Sequence, residues 1–309
     1  TFANTVEFNQ NINIWNTSKV TILSSAFKDA KAFNMPLNNW DVSNVTFMVS
    51  TFENTVNFNQ PLNNWNVSKV ANLFFCFNGA KAFNSDVSTW VTSSCTNFGG
   101  CFGNTLVFNQ PLTSWVTSLA VGTRGSVGGN GSVTSSSSNG IGAMFEGAKA
   151  FNQSVNHFDV SKAVNFARVF NGAKVFNQPL NNWDTSSGED FQNTFENTLA
   201  FNQDISMWNM EKAVLAIRTF RNAKAFNTSI DSWKLLNTTH LSSMFEGAVY
   251  NQPLNSWRFP KAISLYRMFE AGSFNQPLAD WEVNGVLYFG AMFKGCPFNQ
   301  NITTWCVKH

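Results

Sequence analysis

Residues able to do chemistry are few in this chain and stand apart from one another. Three histidines, His157, His240 and His309, occupy unrelated places, and 18 Asp and Glu residues are spread over 309 positions. Catalysis needs ionisable groups gathered in perturbed surroundings, and no such gathering is legible. The chain is therefore expected not to be an enzyme, with no catalytic residue, no cofactor site and no metal site. Among the five cysteines, Cys76 and Cys101 precede Phe77 and Phe102 in equivalent places, Cys95 stands where Val45 and Val70 stand, and Cys296 and Cys306 lie near the other end. A Cys76 to Cys101 or Cys296 to Cys306 bridge and buried free thiols are all compatible with that spacing. No histidine lies at ligand spacing from any of them. The glycine-rich run Gly122 to Ser132 lacks the Gly-x-x-x-x-Gly-Lys pattern of a phosphate cradle.

What remains is amide chemistry, and it is periodic. Asn follows an aromatic residue at Asn9, Asn34, Asn59, Asn84, Asn109, Asn152, Asn177, Asn202, Asn227, Asn251, Asn275 and Asn299. An amide carries both a donor and an acceptor, so such a series can satisfy the backbone of its own and the neighbouring unit as a structural ladder. Beside it, Gln60, Asn63 and Asn64 in one copy and Gln178, Asn181 and Asn182 in another form a polar strip suited to a ligand.

The elements that must position these amides are set by the tryptophans. Trp15, Trp40, Trp65, Trp90 and Trp115 are 25 residues apart, and Trp183, Trp208, Trp233, Trp257, Trp281 and Trp305 continue the period. Phe158 takes the missing place between them, so there are twelve copies of one unit. Self-similarity at this period means a solenoid or array in which each unit touches its neighbours. Residues 1–309 then make a single solenoid domain.

Within one unit, Val70, Leu73, Phe77 and Ala80 fall at one face of a helix rather than in the alternation of a strand. Ser68, or Asn66 two residues before it, is suited to cap that helix. Phe58 to Trp65, with Pro61, reads as a short extended segment. The expected fold is α/β, a leucine-rich-repeat-like solenoid of twelve units, each with a short parallel strand and a helix, stacked at roughly 5 Å per unit. The Trp rings and the aliphatic series from Ile12 and Leu37 through Ile302 are expected to face the core.

Met144-Phe145-Glu146-Gly147-Ala148-Lys149-Ala150-Phe151-Asn152-Gln153 and Phe33 to Val45 resemble the 25- to 26-residue repeat of bacterial surface proteins, found in mycoplasma surface lipoproteins and in microbial eukaryotes. The resemblance spans essentially the whole chain. It implies a relative of the BspA-type leucine-rich repeats, an α/β solenoid and exposure at a cell surface, and it carries over no catalytic residue.

Composition agrees with a recognition or structural role. Charged residues are 12% of the chain and the net charge is +2, so there is no electrostatic footprint for nucleic acid. With 32 Phe and 11 Trp the chain can bury enough apolar surface to order itself. No apolar run approaches a membrane span. The first and last residues fall in mid-repeat without polar caps, which suggests an excerpt of a longer array or ends covered by partners.

Two departures break the rhythm. Residues 118–140 hold a Gly/Ser-rich insertion expected to be a flexible surface excursion. Lys31, Lys81, Lys149, Lys174 and Lys224 mark one of two unit types, giving lysines at about 10 Å intervals. Of the Asn-x-Ser/Thr sequons, Asn16, Asn66 and Asn130 are the candidate glycosylation sites of a secreted chain. Two functions fit: an extracellular or cell-surface module for adhesion, recognising protein or glycan, or a structural module of a filament, wall or coat that self-associates through uncapped ends.

Overall fold

The computed structural model describes residues 1–127, 133–135 and 140–307. Among the described residues there is no α-helix, and the only extended elements are β1 (Ser126–Val127) and β2 (Val133–Ser135), an antiparallel pair inside the insertion. The expected α/β fold with a strand and a helix in every leucine-rich-repeat-like unit is therefore overturned. Each unit is instead a coil built almost entirely of tight turns, and the coils stack.

The segment expected to be helical shows how. Leu23 N–H, Ser25 N–H, Phe27 N–H and Asp29 N–H donate to the carbonyls of Phe47, Val49, Thr51 and Glu53 in the next coil at 2.8–2.9 Å. The intervening amides turn back on their own coil, Ala26 N–H to Leu23 O and Ala30 N–H to Phe27 O. Alternate amides thus bond sideways and backwards, a pattern that an α-helix, which directs every amide along its own axis, cannot make. Each turn needs a left-handed third residue, where Gly and Asn are favoured. Those places are filled by Ser25 and Asp29 in this coil, and by Gly79, Gly147, Gly172 and Gly247 or Asn54, Asn104, Asn197 and Asn222 elsewhere. Apolar residues spaced three and four apart satisfy such consecutive turns as well as they satisfy a helix face.

The parallel ladder also lies elsewhere than expected. Isolated parallel bridges run Ile22 to Phe47, Asn72 and Asn97, on to Gly140, and from Asn165 through Asp190, Leu215, His240 and Ser264 to Tyr288. These are the edge of the turn segment, whereas Phe58 to Trp65 contains no strand. Near Trp65, Ser68 N–H donates to Asn66 Oδ1 at 3.1 Å, the side-chain bond expected of a helix cap but here closing a local turn on itself.

Three ring columns fill the interior. Phe27, Phe52, Phe77 and Phe102 stack at 5.4–5.7 Å between centroids, and Phe33, Phe58 and Phe83 at 5.8–6.2 Å. The tryptophans make the third, for example Trp65 over Trp90 at 6.3 Å and Trp208 over Trp233 at 6.3 Å. One cluster of buried apolar residues runs from Ile12 to Met292. Offset parallel rings at this spacing add specific attraction to the burial of apolar area, so the columns fix the register from coil to coil.

Candidate functional site

The asparagine series sits where its amides can act on the neighbouring coil. Asn34 N–H donates to Asn9 Oδ1, Asn59 N–H to Asn34 Oδ1, and the same link repeats eleven times to Asn299 N–H on Asn275 Oδ1, all at 2.8–2.9 Å. Each side chain holds the backbone of the next coil, including across the insertion, where Asn152 N–H reaches Asn109 Oδ1. Asn84, Asn177, Asn202, Asn227 and Asn251 take their places in the same chain of bonds.

The strip residues divide. Gln60 and Gln178 are half-buried and lend their Nε2 groups to the ladder, to Asn34 Oδ1 at 3.0 Å and Asn152 Oδ1 at 3.2 Å. Asn63, Asn64, Asn181 and Asn182 are exposed. Asn181 Oδ1 accepts from Asn156 Nδ2 at 3.0 Å, and Asn182 N–H donates to Asn156 Oδ1 at 2.9 Å. The turns leave the coil's corner open to water, and there the Asn181 side-chain amide is held by its neighbour Asn156.

The tryptophan indoles are tied to the core by their polar edge. Ten Nε1–H groups, from Trp40 on Ile12 O to Trp305 on Leu278 O, donate to the aliphatic residue of the preceding coil at 2.8–3.2 Å. In the coil lacking Trp, Phe158 fills the ring space and His157 Nε2 reaches Leu112 O at 3.0 Å. Because a carbonyl only accepts, that nitrogen carries the proton. Sequence reading missed this pairing, although the signal, a histidine beside the one substituted tryptophan, was present.

The remaining titratable groups have structural partners. All five cysteines are free; burial pushes the thiols of Cys76 and Cys101 well up and that of Cys95 up to about 12. His240 is half-buried, which lowers its pKa, and its Nδ1 lies 2.9 Å from Thr239 Oγ1. Arg221 bridges Glu196 at 3.1 Å and Glu246 at 2.9 Å on adjacent coils. His309 lies outside the described residues. Among the described residues no group of three or more His, Cys, Asp or Glu is placed to hold a metal.

The insertion reaches back to the stack through Arg124 and Gly125. Gly125 N–H donates to Asp190 Oδ2 at 2.9 Å, and Arg124 Nε pairs with Glu189 at 3.2 Å. Of the sequon asparagines, Asn16 and Asn66 are exposed, each Oδ1 accepting from the Ser amide two residues on at 3.2 and 3.1 Å. Asn130 lies outside the described residues.

A chain of stacked, near-identical coils with one ladder and three ring columns is a tandem-repeat protein. The family model described as "Mycoplasma protein of unknown function, DUF285" matches residues 1–81, 48–135, 131–219 and 214–305, and the chain belongs to that family. No curated protein and no solved structure matches it. No helix among the described residues is long and apolar enough to cross a membrane.

Proposed function

We propose that this chain is a non-catalytic recognition module, displayed outside the cell or on its surface, whose exposed amide strip contacts a glycan or a protein. The observation that carries the reading is the strip itself. Asn63, Asn64, Asn181 and Asn182 are exposed on coils whose spacing is set by the asparagine ladder, and the Asn181 side chain and the Asn182 backbone are held by hydrogen bonds to Asn156. A row of amides, each offering donors and an acceptor, matches hydroxyl-rich or backbone-rich partners, and repetition along a rigid stack converts weak contacts into avidity. Membership of a tandem-repeat family is compatible with that role.

The test is a glycan array and surface-protein capture with the wild-type chain and with Asn63, Asn64, Asn181 and Asn182 replaced by Ala. Binding that the quadruple variant loses supports the reading; a ligand bound equally by both sinks it. Labelling of intact cells with an antibody against the chain tests its display.

A second reading rests on the translational symmetry of the stack. Apart from the coil in which Phe158 replaces the tryptophan, each coil presents to the next the kinds of ring and amide that it receives from the previous one, so two copies can continue one another's columns. Light scattering across a concentration series decides: growth to ordered rods favours a structural subunit, and a constant monomer removes it.

A further inference from the structure

We propose that the coil carrying Glu189, Asp190 and Gln192 is a peptide-binding site that reads an arginine followed by a glycine, and that the chain's own insertion occupies it through Arg124 and Gly125. This site lies apart from the amide strip, and the two readings fail separately.

In three other coils the residue equivalent to Asp190 closes a small turn: Asn72 Oδ1 accepts from Phe74 N–H at 2.8 Å, Asn97 Oδ1 from Gly99 N–H at 3.0 Å, and Asn165 Oδ1 from Ala167 N–H at 2.8 Å. Asparagine suffices for that task. Asp190 does the same for Gln192 N–H at 3.1 Å, yet it brings a second carboxylate oxygen and a charge, 1% exposed, that the turn does not require. A buried carboxylate without further donors is costly. Here the extra oxygen receives Gly125 N–H at 2.9 Å and Gln192 Nε2 at 3.2 Å.

Gln192 supplies an independent sign of an unfinished site. Its side chain is buried at 3% exposure, and because Asp190 only accepts, Nε2 must be the group facing it. The Oε1 atom of that amide has no hydrogen-bond partner, a buried acceptor still without a donor. Glu189, immediately before, is the third acceptor and holds the Arg124 guanidinium at 3.2 Å. Arg168 of the adjacent coil is the cation that acts on Asp190 from the stack side.

Three acceptors on one coil select a ligand made of donors: a guanidinium for Glu189 and a backbone N–H for Asp190. The occupant shows the order, Arg then Gly, and the Gly is buried while the Arg–Glu pair is half in solvent, with side chains 41% and 39% exposed. Exposed ion pairs bind weakly and steer, so the buried amide bond to Asp190 decides affinity and the arginine decides which peptide arrives. The fitting partner is a protein with an extended, exposed Arg–Gly segment, for which the insertion competes by being tethered.

Deleting residues 122–139 joins Val121 to Gly140 and leaves 25 residues between Trp115 and Phe158 in step with Trp90 and Trp115, so the shortened coil has the length of its neighbours. The probe is the labelled peptide Val-Gly-Thr-Arg-Gly-Ser-Val, read by fluorescence anisotropy. The proposal expects saturable binding to the deleted chain, at least tenfold weaker binding to the intact chain, and at least tenfold weaker binding after Asp190→Asn in the deleted chain or Arg→Ala in the peptide. Asp190→Asn keeps the turn to Gln192, so its loss reports the carboxylate. A folded deletion variant that gives no saturable binding, or binding indifferent to Asp190→Asn, overturns the proposal. Should the deletion not fold, full-length chain with Arg124→Ala and Gly125→Pro carries the same test: it must bind the peptide at least tenfold more tightly than the intact chain does, and no gain overturns the proposal.

Discussion

His157 Nε2 stands 3.0 Å from Leu112 O, and so does in one coil what the indole N–H of a tryptophan does in ten others. Two adjacent residues share one tryptophan's work: Phe158 supplies the ring in the core and His157 the proton. His157→Ala is expected to take from the Leu112 carbonyl one of its two donors, leaving Trp115 N–H at 3.0 Å, at a cost of about 1 kcal/mol. Adding Phe158→Trp should restore a donor and recover most of that loss. Denaturant unfolding of the two variants checks it; no recovery in the double variant would mean that the ring, not the N–H, sets this coil's stability.

The ladder makes an asymmetric forecast about asparagine. Asn109 Oδ1 accepts both Asn152 N–H at 2.9 Å and Gln153 Nε2 at 3.2 Å across the insertion. Asn109→Ala removes the acceptor and should destabilise by about 1–3 kcal/mol, because the Asn152 amide is part-buried. Asn109→Asp keeps the acceptor and should cost much less. Equal losses in urea melts would show that the Asn109 side chain acts through its Nδ2 group.

Two glycines with the same backbone geometry should differ. Gly79 and Gly172 have φ of 70° and 69°, so Ala is strained at either by about 1–2 kcal/mol. A Cβ on Gly79 would also run into Asn54 Oδ1 of the preceding coil, whereas one on Gly172 meets nothing nearer than 3.6 Å. Gly79→Ala is therefore expected to lower the melting temperature more than Gly172→Ala. Equal losses would place the cost in the backbone alone.

What the sequence reveals and what it hides follow from the same residues. The period, the core rings and the register of the asparagines are legible because each recurs at a fixed interval. The secondary structure is not, because Val70, Leu73, Phe77 and Ala80 sit three and four apart in a succession of turns just as in a helix. The discriminating signal was glycine: Gly79, and Gly100 in the next coil, lie where a helix would lose stability and where turns need left-handed residues. Asn66 misleads for a related reason, since an Asx side chain bonding the amide two residues on serves helix starts and isolated turns alike. The docking of Gly125 on Asp190 joins residues 65 apart and leaves no periodic trace at all.

Thiol accessibility should split the cysteines by place in the coil. Cys76, Cys95 and Cys101 are buried and burial raises all three pKa values, which suppresses the thiolate that reacts. Cys306 is exposed and Cys296 half-buried, its pKa also raised. Maleimide at neutral pH is expected to label Cys306 first, Cys296 slowly, and the other three only after denaturation. Rapid labelling of Cys95 in the native chain would mean that the turn segment opens locally.

Acid should act on this stack in opposite directions in different windows. Burial raises the Asp190 carboxyl above its ordinary 3.8, against the opposing hydrogen bonds from Gln192 and Gly125 and the charge of Arg168. Below 3.8 folded and unfolded chains both hold the proton; as pH rises through the folded value, only the unfolded chain ionises freely, so stability is lost. Glu146, raised from 4.5 by burial, adds a loss of the same sign. His240, lowered from 6.5 by burial, works the other way, removing stability as pH falls through its folded value. Asp41 and Asp159, lowered by hydrogen bonds from Ser43 and Ser161, lose their contribution only below 3.8. Between neutrality and pH 4 the difference between wild type and Asp190→Asn isolates the buried carboxylate. The variant should be at least as stable as wild type at pH 7, and the gap should close as the pH falls, because Asp190 then becomes neutral in both states. A gap that widens on acidification would mean that the Asp190 charge stabilises the coil through Gly125 and Arg168 by more than its burial costs.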